Sequence, residues 1–304
     1  MKILITGGAG FVGSHIAQAL LKENIGDVIV YDNLSVGKIE NIPVGCNFIN
    51  GDIRDAEKLV KSMDGVDAVF HNAAFVSIRG SYLRLKDELD INCNGTLNVL
   101  ESMVKKGVKK IIFASSMAVY GCPKQVPVME ENDLSPLSPY GFSKARGELF
   151  CKIFAEQYGI SYGILRYFNI YGIRQTVSPY VGVLTTFINQ ALNKKPLTIY
   201  GSGNQTRDFV HVQDVANANL LALSYESNGI FNIGSGTEES INKLADIVNN
   251  YLDNVGKIYK PAPKGEVDRI RADIRQAQAC LKYNPGPGLQ SLLPEIIKWW
   301  KQNY

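Results

Sequence analysis

A strand that runs into three evenly spaced glycines and out into a helix allows few folds. Ile3-Leu4-Ile5 is a short apolar run of the kind buried in a parallel sheet. Thr6 follows. Gly7, Gly10 and Gly13 then recur at three-residue spacing before the helical periodicity of Ser14 to Lys22. Glycines at such a turn permit a tight bend and let backbone N–H groups reach a pyrophosphate at a helix N-terminus. A plain glycine-rich turn is the simpler reading, but the strand before and the helix after favour a nucleotide site.

The same alternation continues. Val28 to Tyr31 is a second strand closing on Asp32, about 20 residues past the glycines. A carboxylate there accepts hydrogen bonds from an adenosine ribose and repels a 2′-phosphate, which favours NAD over NADP. Its alternative is a turn aspartate. No arginine follows closely, and Lys38 is the nearest cation beyond it. Phe48 to Ile53 is a third strand ending in Asp52-Ile53. Asp52 is placed for an adenine amino group, or as the N-cap of a helix around Ala56 to Lys61. Ala68 to His71 is a fourth strand, followed by the small-residue turn Asn72-Ala73-Ala74, which lets a cofactor pass close to backbone. Asp90 to Lys105 is a helix with Asn92 near its start, either holding the strand-end geometry or serving as an ordinary polar helix residue.

Lys110 to Ala114 is a fifth strand, leading into Ser115-Ser116 at the edge where open α/β sheets bind ligands. Tyr162 to Asn169 is a sixth. This alternation implies an α/β fold with a doubly wound parallel sheet over residues 1–170. Beyond it the pattern is irregular. Gly172 to Tyr180 reads as a loop, and Val183 to Leu192, Val215 to Tyr225, Leu244 to Leu252 and Leu289 to Lys301 as helices. Short strands are expected at Lys195 to Gly201, Arg207 to Val212 and Gly229 to Gly234. Residues 171–304 are expected to form a smaller mixed α/β substrate-binding domain. It is interleaved with the first, and part of 208–240 returns to the sheet.

Between the fifth and sixth strands stands Ser138-Pro139-Tyr140-Gly141-Phe142-Ser143-Lys144. Ser138 suits an N-cap and Pro139 the first helical position. Tyr140 and Lys144 then share one helix face. A phenol titrates near ~10, so work as a base near neutrality needs a fall of roughly 3 units, about 4 kcal/mol, and a nearby cation pushes that way. By itself the pair is common on protein surfaces; its context gives it meaning.

Composition narrows the classes. A net charge of +3 with scattered Lys and Arg does not point to nucleic acid. Five widely spaced cysteines without a Cys-x-x-Cys argue against disulfides or zinc and for a reducing cytosol, and the three distant histidines do not read as metal ligands. The N-terminal apolar run breaks at Gly7, too early for a signal-peptide core, and no run approaches the ~20 residues of a membrane span.

Several motifs occur in order: Thr6-Gly7-x-x-Gly10-x-x-Gly13, Asp32-Asn33-Leu34-Ser35, Asp52-Ile53, Ser115-Ser116, Tyr140-x-x-x-Lys144, Arg166-Tyr167-Phe168-Asn169-x-Tyr171-Gly172 and Gln205 to Val212. Over nearly its whole length the chain resembles the extended short-chain dehydrogenase/reductase family, and within it the nucleotide-sugar 4-epimerases. The resemblance implies a Rossmann sheet, tightly bound NAD, a UDP-sugar substrate and a homodimer formed through helices near residues 92–107 and 140–158. It implies Tyr140 as catalytic base and acid. Lys144 would lower the Tyr140 pKa and bind the nicotinamide ribose, and Ser116 would bond the reacting sugar oxygen. Besides the three glycines, Phe11, Val12, Asp32, Asn33, Ser35, Asp52, Ile53, Ala73, Ala74, Asn92 and Phe168 fall on its cofactor positions, together with Tyr140 and Lys144. Asn169 and Arg207 fall where it meets the UDP diphosphate. The implied reaction interconverts UDP-glucose and UDP-galactose: C4 is oxidised, the 4-keto sugar rotates, and hydride returns to its other face.

Relatives that dehydrate or decarboxylate sugar nucleotides carry an acid in the stretch after Ser116, because expelling water needs a proton donor. Met117 and Ala118 stand there, which leaves epimerisation. The family often has an arginine at the position of Pro263, so Lys264 or Arg269 is expected to replace it at the diphosphate. Ile270 falls where N-acetylated sugars are gated. Its intermediate size leaves UDP-N-acetylglucosamine and UDP-glucuronate 4-epimerases as alternatives. A non-catalytic NAD-binding regulatory protein is the reading from another class, because fold alone does not give function.

Overall fold

The computed structural model describes residues 1–76, 82–176, 182–263 and 265–303. The sheet strands are β1 (Lys2–Thr6), β2 (Asp27–Asp32), β3 (Asn47–Asn50), β4 (Ala68–His71), β5 (Lys110–Ser116) and β6 (Ser161–Tyr167). Between them lie helices α1 (Phe11–Lys22), α2 (Ala56–Ser62), α3 (Leu85–Leu89), α4 (Gly95–Lys106) and α5 (Pro139–Tyr158). The remaining elements are β7 (Asn169–Tyr171), α6 (Val183–Leu192), β8 (Leu197–Tyr200), β9 (Thr206–Arg207), β10 (Phe209–His211), α7 (Val212–Ser224), β11 (Gly229–Ile233), β12 (Glu239–Ser240), α8 (Ile241–Tyr251), β13 (Lys257–Lys260), β14 (Arg269–Ile270), α9 (Arg275–Leu281) and α10 (Leu289–Asn303).

Seven strands pair in parallel in the order β11-β6-β5-β4-β1-β2-β3. Strand order reverses between β1 and β4, and open sheets of this kind bind ligands in the crevice at that point. Side-chain alternation fills both faces. Ile3, Ile5, Val28 and Val30 pack with α1, α7 and α9, while Leu4, Ile29, Val69 and Ile111 pack with α2, α4 and α5. A separate core gathers α6, α8 and α10 around Phe187, Leu244 and Trp300.

Several boundaries differ from the sequence expectations. The third strand stops at Asn50, so Asp52 and Ile53 lie beyond it. The cap of α2 is Asp55, whose carboxylate accepts from the Lys58 N–H, not Asp52. The expected Asp90–Lys105 helix begins as α3 and passes through a π-turn over Asp90–Asn94 before α4. The sixth strand ends at Tyr167, and Asn169 belongs to β7, which pairs with β10. Short apolar content hid β14 and α9. Part of the expected Gly172–Tyr180 loop, and Lys264, lie outside the described residues.

Candidate active site

The glycine turn is built by close approach. Gly7 has φ +70°, and a Cβ there would stand 2.6 Å from the Ala73 nitrogen. A Cβ on Gly13 would stand 2.3 Å from the Gly7 carbonyl oxygen. Helix α1 starts at Phe11 with no side-chain cap, so the N–H groups of its first turn, including Val12, face the crevice end of the sheet. Asp32 is buried at the end of β2 and accepts from the Ala9 N–H (3.0 Å) and the Leu34 N–H (2.8 Å). Burial pushes this carboxyl up, and the two backbone donors oppose that. Asn33 donates to Asp52 (2.8 Å) and accepts from the exposed Ser35 N–H (3.0 Å). Arg54 takes both Asp52 oxygens (3.0 and 2.7 Å) and holds that carboxyl well below its usual range. The Ile53 side chain packs into the core against Gly95, where a Cβ would be 2.4 Å away.

Asn92 answers its two alternatives. It is buried in the π-turn, accepts from the Phe75 N–H (2.8 Å) and donates to the Phe75 carbonyl (3.0 Å), so it clamps the chain leaving β4 just past Ala73 and Ala74. A π-turn re-aims one side chain without ending the helix.

Helix α5 begins as its sequence predicts, with Ser138 accepting from the Gly141 N–H (3.1 Å) and Pro139 in the first turn. Two glycines press it onto β5 and the turn that follows it. A Cβ on Gly141 would be 2.4 Å from the Ala118 carbonyl oxygen, and one on Gly147 would be 2.3 Å from the Phe113 ring. Tyr140 is thereby set against Ser116, the last residue of β5, whose side chain favours the ionised phenol. Tyr140 and Lys144 are both buried, 7% and 5% exposed. The Lys144 ammonium lies 5.9 Å from the Tyr140 ring centroid and donates to the Ala114 carbonyl (2.8 Å). Burial pushes the phenol up and brings the ammonium down to about 8. Burial and then Glu88 raise this phenol and Ser116 lowers it, so the expected lowering by Lys144 is not what sets it.

On the other side of the crevice, Phe168 and Ile270 are buried together with Val119, Tyr120 and Val128. Asn169 donates to the Asp208 carbonyl (3.1 Å). Arg207 pairs with Glu266 and donates to the Val267 carbonyl (2.7 Å). Parallel pairing places Ile270 beside Arg207 and Arg269 beside Thr206, and neighbours along a strand face opposite ways. Arg269 is accordingly exposed and paired with Glu238 (2.5 Å), which also accepts from Thr206, so it does not join Arg207. A cleft of about 550 Å³ lined by Gly201, Asn204, Gln205, Pro263 and Glu266 adjoins the Arg207 partner; none of its lining residues belongs to the Tyr140 group.

Three contributors were not singled out from sequence. Asp208, fully buried, accepts from the Ser235, Gly236 and Ala272 N–H groups and locks the strip bearing Arg207 and Ile270. Glu88 is buried beside α5, and Glu148 is buried on it. The signals were faint: glycines inside α5, which cost helix stability unless packing requires them, and an acid beside Arg207.

These features match known proteins. Residues 3–234 match the NAD dependent epimerase/dehydratase family. The chain belongs to that family. A Methanocaldococcus jannaschii protein whose UDP-glucose 4-epimerase name is provisional is 45% identical over 304 residues, 99% of each chain. The UDP-glucose 4-epimerase of Thermotoga maritima, solved with UDP-glucose, is 37% identical with a TM-score of 0.95 over 99% of each chain. The UDP-N-acetylglucosamine 4-epimerase of Methanobrevibacter ruminantium, solved with UDP-N-acetylmuramic acid, is 36% identical. Its TM-score is 0.95 over 100% of this chain and 99% of that one. The chain is an NAD-dependent epimerase acting in nucleotide-sugar chemistry. Its glycine cradle, the uncapped first turn of α1 and the buried Asp32 fit that cofactor. Among the described residues no helix is long and apolar enough to cross a membrane, and no His, Cys, Asp and Glu cluster is placed to hold a metal.

Proposed function

We propose that this epimerase interconverts UDP-glucose and UDP-galactose. The observation that carries the reading is Ser116 and the buried Tyr140–Lys144 pair at the carboxyl end of β5, followed by Met117 and Ala118, which cannot transfer protons. Tyr140 takes the proton of the sugar 4-hydroxyl and later returns it. Ser116 holds the reacting oxygen and directs the proton. Lys144 holds the nicotinamide ribose and, with its charge, opposes the burial that disfavours phenolate. Bound NAD supplies the acceptor and donor of the C4 hydride. Gly7, Gly10, Phe11, Val12, Gly13, Ala73 and Ala74 present backbone to the dinucleotide, with Asp32 and Asn33 at its adenosine end and Asn92 holding the loop beside it. Asn169 and Arg207 meet the diphosphate, an arginine fork matching its oxygens.

In this reading residues 1–170, with part of 208–240, hold NAD and 171–304 hold the sugar nucleotide. Exposed Phe142, Leu149 and Ile153 recur at helical spacing along α5 and suit a homodimer through that helix. The enzyme works in the cytoplasm, where its widely spaced thiols stay reduced.

Ile270, of intermediate size beside Arg207, favours a second reading as a UDP-N-acetylglucosamine or UDP-glucuronate 4-epimerase. The test is product analysis with UDP-galactose, UDP-N-acetylgalactosamine and UDP-galacturonate offered separately. Conversion of the first alone, or best, supports the proposal. Conversion of none by folded, NAD-loaded protein overturns it.

A further inference from the structure

Glu88 on α3 is fully buried against α5, where it meets Ser143, which lies between Tyr140 and Lys144 in the chain. Its Oε1 accepts from Asn92 Nδ2 (2.5 Å) and from Ser143 Oγ (2.7 Å). The Asn92 amide orientation is fixed independently, because Asn92 Oδ1 accepts from the Phe75 N–H. Asn92 Nδ2 also lies 3.1 Å from Ser143 Oγ, its two N–H groups being shared among Glu88, the Phe75 carbonyl and Ser143, and Ser143 immediately precedes Lys144. One carboxylate oxygen therefore joins the π-turn, the loop leaving β4 and the helix of the reacting pair. Its other oxygen, Oε2, is buried without a hydrogen-bond partner among the described residues.

Charge accounting gives Glu88 a second task. Glu148, a buried carboxylate on α5 itself, is taken by Arg166 through two hydrogen bonds (2.9 and 2.7 Å). Glu88 is in no ion pair among the described residues. Burial pushes its carboxyl up, while the Ser143 hydrogen bond, the Lys144 charge and the Asn92 hydrogen bond oppose that; ionised, it favours the buried Lys144 ammonium and disfavours a Tyr140 phenolate. The remaining titratable groups facing Lys144 are Cys93 from the π-turn, Cys151 from α5 and His71 from β4. Burial pushes both thiols up and holds the imidazole down at about 3, so all three are neutral near pH 7.

We propose that Glu88 is a positioning residue of the epimerase reaction, locking Asn92 and Ser143 beside Tyr140 and Lys144 and supplying the negative charge that faces the Lys144 ammonium. This rests on the reading of Tyr140 as the proton-transfer residue.

The signs are fixed by electrostatics. Removing the Glu88 charge stabilises a Tyr140 phenolate and destabilises the Lys144 ammonium, so both ionisations move to lower pH. Glu88→Gln keeps the shape and one acceptor but not the charge, whereas Glu88→Asp keeps the charge. The experiment is an ultraviolet titration of phenolate in the purified holoenzymes, with the Tyr140→Phe titration subtracted in each background, beside pH–rate profiles with UDP-galactose. The expected result is a Tyr140 transition about half a unit or more lower in Glu88→Gln, both limbs of its rate profile displaced to acid, and recovery in Glu88→Asp. A Glu88→Gln enzyme that only loses rate, with transition and limbs unmoved, overturns the proposal and leaves the Tyr140 reading standing. Full activity in Tyr140→Phe overturns both.

Discussion

Arg166 on β6 and Glu148 on α5 form a two-pronged ion pair, 2.9 and 2.7 Å, with side chains only 2% and 1% exposed. Ser115 donates to the same carboxylate (2.5 Å), and Arg166 also donates to the Tyr120 hydroxyl (2.8 Å). The pair ties α5 to β6, and Ser115 ties the same carboxylate to β5, the strand that ends in Ser116. Removing the Glu148 charge leaves Arg166 charged, buried and without that counter-ion. Glu148→Gln is expected to cost about 3–5 kcal/mol of stability, read as a lowered urea midpoint.

Gly7 admits no side chain. Its φ of +70° is costly for other residues, and a Cβ would press on the Ala73 amide. Gly7→Ala is expected to weaken NAD binding about tenfold or more while far-ultraviolet circular dichroism stays unchanged. NAD titration of the stripped protein checks this.

Tyr140→Phe is expected to lower kcat by about 10²–10⁴, the usual share of a positioned acid–base group, with KM little altered. Ser116→Ala keeps the phenol and is expected to lose less. Steady-state kinetics on the best of the three UDP-sugars measures both.

Ile270 is buried against Phe168 and Val119. If it gates the sugar, Ile270→Tyr is expected to reduce kcat/KM for UDP-N-acetylgalactosamine more than for UDP-galactose. Volume alone discriminates by roughly 10–200-fold. An equal loss on both substrates would remove Ile270 from the specificity argument.

Acid lability is expected from two histidines. Burial lowers His71 to about 3 and His15 to about 4, against about 6.5 in an unfolded chain. The unfolded chain then binds more protons between those values. The contribution is fully present above about pH 6.5 and is lost as pH falls, at roughly 1.4 kcal/mol per unit for each group. Urea midpoints from pH 7 to 4 should fall accordingly, and His71→Gln should reduce that slope by close to one proton.

Local chemistry carried much of the fold in the sequence. The Ser138–Pro139 helix start and the Val183–Leu192 helix need only nearest-neighbour physics, and the structure places them as read. The glycine turn also follows β1 as expected, but α1 begins at Phe11, three residues before the expected Ser14, and takes in Gly13. Apolar runs at Ile3, Val28, Ala68 and Lys110 marked buried parallel strands for the same reason. Tertiary structure decided what depends on distant partners. Whether Asn92 is a clamp follows from Phe75, and Arg269 faces away because β14 pairs in register with β9. Glu88 and Glu148 look like ordinary helix acids in the sequence. Only packing of α3, the π-turn and β6 around α5 strips their water and gives each different partners, because the energy of a charge is set by its surroundings and not by its place in the chain.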